Sequence, residues 1–486
     1  MRRLSRRQEL FRWARCGLDQ LVEWVLGLEA KLRQAHRENG TLRRQVQELR
    51  GRLALNSRNS GKPPASDGLA KAAPKPKSLR ARTGRRPGGQ RGHVGRTLQP
   101  VARPDHVRVH PLDRCPCGAC HGHSLRAVPV LDYEKRQVFE LPQKPLEVTE
   151  HRAEIKCCPV SGRRVTAPFP EGVSSPAQYG PRFKAQMVYF NDEHFLPYQR
   201  LTRVCEDLYG QPLSEATIVA ANQRAYEQLA PFEQRVVELL PQAPVNHVDE
   251  SGLRVAKTLH WLHVVSNPAL TFYGVHPKRG REAMDYFDIL PHCTHWLIHD
   301  HWKPYFTYDQ CLHALCNEHH LRELKFLHEE HQEDWAQAMS TLLLDSLAYR
   351  KDHGVLDQAQ FRKLQVRYHA ILSRGRRRHP RRTDRSPQSK AANLLTRLEA
   401  FDLNVLAFTI FEEVPFTNNG AERDIRMEKT RQKISGCFRT LHGARVFARI
   451  RGYISTCRKQ GQNILDALEK AIMGIPFIPS APPAGP

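Results

Sequence analysis

The chain has 486 residues, a formal net charge of +25 and a sequence pI of about 9.8. That length allows two or three domains with their own cores, and that charge favours polyanionic partners without specifying a fold. No apolar run is long enough to span a bilayer, the arginine-rich N-terminus lacks the apolar core of a signal peptide, and twelve cysteines are too few for a disulfide scaffold. A reducing, cytoplasmic and nucleoid-associated setting is expected, with no membrane partner.

Residues 1–55 are expected to form a coiled-coil, zipper-like helix. Leu18, Val25, Leu32, Asn39, Val46 and Leu53 fall seven apart, and Leu21, Leu28, Ala35, Leu42 and Leu49 repeat the interval offset by three. These are a and d positions, and Asn39 at an a position favours a paired, in-register dimer. The expected partner is a second copy, in a homodimer or higher multimer through residues 18–53. Residues 56–100 are rich in Pro, Gly, Ser, Lys and Arg and nearly empty of large apolar side chains, which predicts a disordered basic linker able to track a phosphate backbone.

Residues 101–170 read as a small β-rich module. Cys117 and Cys120 make one Cys-x-x-Cys, the usual half of a structural zinc site. The second half is irregular: Cys157 and Cys158 are adjacent, and Ser161 stands where another cysteine would follow. The four cysteines are candidate Zn²⁺ ligands. Residues 171–243 are helical in pattern. A helix ending near Gly210, a turn, and a helix capped by Ser214 have the spacing of a helix-turn-helix, and equally of two ordinary packed helices.

From residue 244 the pattern becomes strand, strand, strand, helix, strand. The first and fourth strands each finish on an aspartate, Asp249 and Asp300. That order matches the opening of a ribonuclease-H-like fold, in which those two strands are neighbours. Two carboxylates held close together call for a divalent cation, and oxygen ligands suit Mg²⁺ or Mn²⁺. Glu250 competes with Asp249 for the first position, because alternation in a strand leaves both open. A third acid is expected on a later helix. In "TNNGAERDIR" (417–426), Asn418 or Asn419 can cap a helix whose first turn holds Glu422. The positive end of a helix attracts a carboxylate. Arg423 and Arg426, with Arg431 and Lys433 further along, are candidate DNA-binding cations. Residues 244–330 and 403–460 would form the catalytic core. Residues 331–402 would form a helical insertion carrying the basic loop "RGRRRHPRRTDR" (374–385), and 461–486 a tail.

The pieces "NSRNSGKPP", "RRPGGQRGH", "HVDESG", "HDHWKPYF", "CNEHHLREL" and "NNGAERDIR" occur in that order. Together they resemble the insertion sequence 66 family of bacterial transposases over residues 18–460. The resemblance implies a multidomain α+β and α/β chain: an N-terminal coiled coil, a zinc-ribbon-like module, a helical DNA-binding region and a ribonuclease-H-like catalytic domain with a helical insertion. It implies Asp249, Asp300 and Glu422 as a DDE-type metal-binding triad. It also singles out Cys316, His319 and Arg322, with His319 and Arg322 near the strand being cut. The implied activity is metal-dependent cleavage and strand transfer of double-stranded DNA at element ends and target, helped by companion proteins of the same element. Two other readings remain at this stage, a nuclease without strand transfer and a catalytically silent DNA-binding repressor. A mere zipper scaffold leaves the three acids unexplained.

Overall fold

The computed structural model describes residues 100–480 except 118, 120, 123, 140–145, 158, 162 and 382–387, and, nearer the N-terminus, residues 22, 23, 25–40, 42, 45, 46, 49 and 50. The expected basic linker therefore lies outside the described residues. Two compact units are formed, one from Met1–Lys71, Ser175–Val204 and Pro212–Pro486, the other from Ala72–Ser174 and Cys205–Gln211. The described residues of 22–50 are helical, and their heptad side chains are about half exposed, from Val25 at 43% to Leu32 at 59%.

The smaller unit departs from the expected β-rich module. Its described strands are β1 (Ile155–Cys157) and β2 (Arg164–Thr166), an antiparallel pair, with one isolated bridge between Arg114 and Ser124. The reason is visible in its apolar residues. Val107, Val109, Leu131 and Val138 lie exposed, so among the described residues no alternating buried face exists to hold a longer sheet.

The larger unit is built on five strands: β3 (Val245–Val255), β4 (Thr258–Ser266), β5 (Thr271–His276), β6 (Trp296–His299) and β7 (Leu312–Leu315). Their order across the sheet is β5-β4-β3-β6-β7. β3, β4 and β5 are an antiparallel meander, whereas β3, β6 and β7 are parallel. Parallel neighbours need a crossover. Helix α5 (Arg281–Tyr286) lies in the one before β6. β5 and β6 are buried on both faces, as continuous apolar strands between helical layers should be.

Helices α1 (Pro181–Val188), α2 (Tyr198–Tyr209), α3 (Glu215–Gln228) and α4 (Ala230–Leu239) precede the sheet. The α2–α3 pair falls where the sequence places it, and Ser214 caps α3 by accepting from the Thr217 N–H. α3 buries Ile218, Ala221, Asn222 and Ala225 in its own unit, so its inner face is an ordinary packed one. After β7 come α6 (Asn317–His331), α7 (Asp334–His353), α8 (Gln358–Arg378), α9 (Lys390–Ala400) and α10 (Asp402–Leu406), which share a core with β6 and β7. The basic run is not simply a loop. α8 continues through Arg376, Arg377 and Arg378, because arginine is a good helix former and cations suit a helix C-terminus. α11 (Asn419–Ser435), α12 (Leu441–Lys459) and α13 (Ile464–Ile472) complete the unit. Among the described residues no helix is long and apolar enough to cross a membrane.

Candidate functional site

The parallel register pairs Val245 with Trp296 and His247 with Ile298. Continuing it by two residues brings Asp249 level with Asp300, which lies just past the end of β6; β3, expected to finish on Asp249, instead runs on to Val255 because it continues pairing with β4. Asp249 accepts from the Glu250 N–H at 2.8 Å, and Asp300 accepts from the Trp302 N–H at 3.0 Å. Burial pushes the Asp249 carboxyl well above the usual carboxylate range, and the carboxylates of Glu250, Asp300 and Glu422 push it further against that N–H. Four acids therefore share one electrostatic environment.

Asp249 and Glu250 have different surroundings. One oxygen of Glu250 accepts from Arg279, at 2.8 Å from Nε, and the other accepts from the Tyr305 hydroxyl. Burial and Asp300 raise the Glu250 carboxyl, opposed by Tyr305 and Arg279. The Arg279 guanidinium also lies over Trp302 at 4.1 Å and Trp261 at 4.9 Å. Glu250 thus has both oxygens engaged by its own chain.

Glu422 reaches the same place because α11 is tied along β3. Asn418 is buried, and its side chain donates to the Val248 carbonyl at 2.8 Å. Its Oδ1, 2.8 Å from His247 Nδ1, accepts from that ring. Burial foremost keeps His247 below its ordinary pKa, which suits a neutral ring with its proton on Nδ1. Lys429 and Gln432 reach the Gly252 carbonyl at 2.8 and 3.2 Å. Past Gly436, whose φ of +73° suits a residue without Cβ, Phe438 bridges back to Val255. Near the helix start, a Cβ on Gly420 would sit 3.4 Å from the His247 ring, so a small residue allows the approach.

This corrects the expected capping. Asn418 is the N-cap residue but makes no side-chain cap bond, because its amide is spent on β3. Arg431 is a second correction. It is buried, 2.9 Å from Glu428, and its guanidinium stacks 3.5 Å over Phe438. It braces the end of α11 and presents nothing to a phosphate. Arg423, Arg426 and Lys433 are exposed.

The Cys-x-x-His-x-x-Arg segment opens α6 immediately after β7. Cys316 Sγ and His319 Nδ1 each lie 3.7 Å from Glu422 Oε1. Arg322 and Arg426 each approach Oε2 at 3.8 Å. The one acid therefore has a cationic side and a cysteine–histidine side. Cys316, His319 and Glu422 form the one cluster of metal-ligating side chains found among the described residues. Of the expected zinc ligands, Cys120 and Cys158 lie outside the described residues, and Cys117 and Cys157 are exposed. Asn418 and Arg279 were not singled out for these roles. An "NN" pair before a helix reads as a cap, and an arginine in a turn carries no distinguishing pattern.

The family model described as "Transposase IS66 family" matches residues 176–446, a span that holds Asp249, Asp300, Cys316, His319, Arg322 and Glu422. A second model, described as a family of unknown function (DUF6444), matches residues 12–99. No curated protein matches.

Proposed function

Because the chain belongs to the transposase IS66 family, we propose that it binds the ends of its element and cuts and joins double-stranded DNA through Asp249, Asp300 and Glu422. The observation that carries this reading is geometric: the parallel register brings Asp249 level with Asp300, and Asn418 ties the start of α11, one turn before Glu422, to Val248 and His247 of β3. The sheet order, with its first and fourth strands adjacent and parallel, supports a ribonuclease-H-like core.

The donor set is all oxygen, which fits Mg²⁺ or Mn²⁺. Such an ion, held by Asp249, Asp300 and Glu422, would activate the attacking oxygen and stabilise the leaving one. Asp249 suits the first position better than Glu250, whose oxygens already face Arg279 and Tyr305. Arg322 and Arg426 orient Glu422 from its Oε2 side. Arg423, Arg426 and Lys433, exposed on α11, hold backbone phosphates near the acids. In the first step water attacks a phosphodiester at the element end, and the broken P–O bond leaves a 3′-OH. In the second, that hydroxyl attacks a phosphodiester of the target, the new P–O bond displacing the target strand's own 3′-oxygen, which leaves as a 3′-OH, and no protein–DNA bond forms. The described helical residues within 22–50, with their half-exposed heptad side chains, support assembly of two or more copies across paired ends. The Cys117–Cys120 pair supports a zinc-bound module in residues 101–170.

The test is cleavage of a labelled element-end duplex, with Mg²⁺ or EDTA, by the native chain and by Glu422→Gln. The expected result is Mg²⁺-dependent nicking that the variant loses while retaining end binding. Equal nicking by both would remove Glu422 from the site. End binding without metal-dependent cleavage by the native chain would replace this reading with a silent repressor, and nicked products that are never joined would replace it with a nuclease.

A further inference from the structure

Cys316 and His319 carry no step in the chemistry above, yet both point at one oxygen of Glu422. Their Sγ and Nδ1 each lie 3.7 Å from Oε1, and the three ligand atoms all lie within 4.8 Å of one another. A tetrahedral zinc ion, with Zn–S near 2.3 Å and Zn–N or Zn–O near 2.0–2.1 Å, would hold such atoms about 3.4–3.6 Å apart. The spacing is that of a ligand set already gathered. A second observation points the same way. His319 Nδ1 is buried and has no hydrogen-bond partner. An unpaired buried ring nitrogen is costly, and a bound cation would satisfy it. The sulfur is also oriented, since Sγ accepts from the Asn418 N–H at 3.1 Å.

We propose that Cys316, His319 and Glu422 form a second cation site, for a zinc-class ion bound by sulfur, nitrogen and oxygen with one position left open. The ligand types separate it from the oxygen-only site, because thiolate and imidazole favour zinc over Mg²⁺. On binding, the Cys316 thiol proton is released to solvent as Sγ ligates the ion. Arg322 and Arg426 face the other Glu422 oxygen and weaken any cation held there. The consequence for activity rests on the proposed function: an ion that draws Glu422 toward Cys316 and His319 withdraws it from Asp249 and Asp300. Zinc then acts as an inhibitor at the active site.

Cobalt(II) titrated into the full-length protein tests the site without any cleavage assay. The expected result is a thiolate-to-cobalt charge-transfer absorption, one cobalt equivalent of which is lost in both Cys316→Ser and His319→Gln. Taking the difference removes signal from the other cysteines. Identical spectra from the native chain and both variants would overturn the site. Should Cys316→Ser fail to fold, His319→Gln at the partly exposed position decides alone. For the consequence, each protein is compared with itself, as the ratio of its Mg²⁺-dependent cleavage rates with and without zinc. The native ratio should fall at least about tenfold and the Cys316→Ser ratio should not. Equal inhibition of both would overturn the regulatory role. A native chain that never cleaves would sink the proposed function while the cobalt difference still stood.

Discussion

Asn418→Ala is the sharpest test of how Glu422 is positioned. The Asn418 side chain is buried and holds two partners, the Val248 carbonyl and His247 Nδ1, each at 2.8 Å. Alanine leaves a carbonyl and a ring N–H buried without partners. Each such group costs about 1–3 kcal/mol, so the expected loss is about 2–6 kcal/mol. The neighbouring Asn419 is exposed, and Asn419→Ala should change stability by no more than about 0.5 kcal/mol. The assay is urea unfolding of both variants followed by tryptophan fluorescence, since Trp261, Trp296 and Trp302 lie in or beside the sheet. Glu422 sits one turn further along the helix, and a displacement near 1 Å can cost about a hundredfold in rate. Cleavage by Asn418→Ala should therefore fall by that order even where the protein remains folded. Equal unfolding midpoints for the two variants would refute the strand tie and restore a simple cap.

Further outcomes follow from the electrostatics. The Asp249 carboxyl has a folded pKa above its unfolded value of about 3.9, so the folded metal-free protein binds more protons and its stability falls as pH rises above about 4 toward the raised value. Asp249→Asn removes that dependence, so melting temperatures between about pH 5 and 8 should decline less steeply than in the native chain. Mg²⁺ should raise the native melting temperature more than the variant's. Arg431→Ala strips the buried Glu428 of its charged partner, leaving only the Gln432 amide, and should cost about 3–5 kcal/mol, while leaving the salt dependence of DNA binding unchanged. Arg426→Ala should do the reverse, lowering the slope of log affinity against log salt by about 0.9 for a lost phosphate contact.

The central sheet was readable because its signals are local. β4, β5 and β6 are largely apolar runs, and strand order then brings Asp249 level with Asp300, whereas the polar continuation of β3 to Val255 and the short β7 carried no such signal. The choice between Asp249 and Glu250 was not readable. It depends on Arg279 and Tyr305, which reach Glu250 from other elements. The fate of Arg431 was half readable. Ala421, Ile425 and Glu428 mark a buried stripe at helical spacing, and Arg431 lies three residues beyond Glu428 on its edge. Charge alone made it look like Lys433, which is exposed. The small unit resisted reading for a different reason: short pieces of Val and Leu predict strands only where a core exists to receive them.

The lone acid of "NNGAERDIR" sits among arginines because its two oxygens do different work. Residues four apart on a helix share a face, so Arg426 meets Glu422, while Arg423, one residue on, points elsewhere and stays exposed. Arg322 arrives at the same oxygen from α6. Two guanidiniums on Oε2 leave Oε1 as the oxygen turned toward Cys316 and His319. A glutamate free in solvent has no such asymmetry, and a purely structural ion pair would not need a buried imidazole nitrogen without a hydrogen bond beside it. The arrangement makes sense if Glu422 is held by its arginines for cations that come and go on its other side.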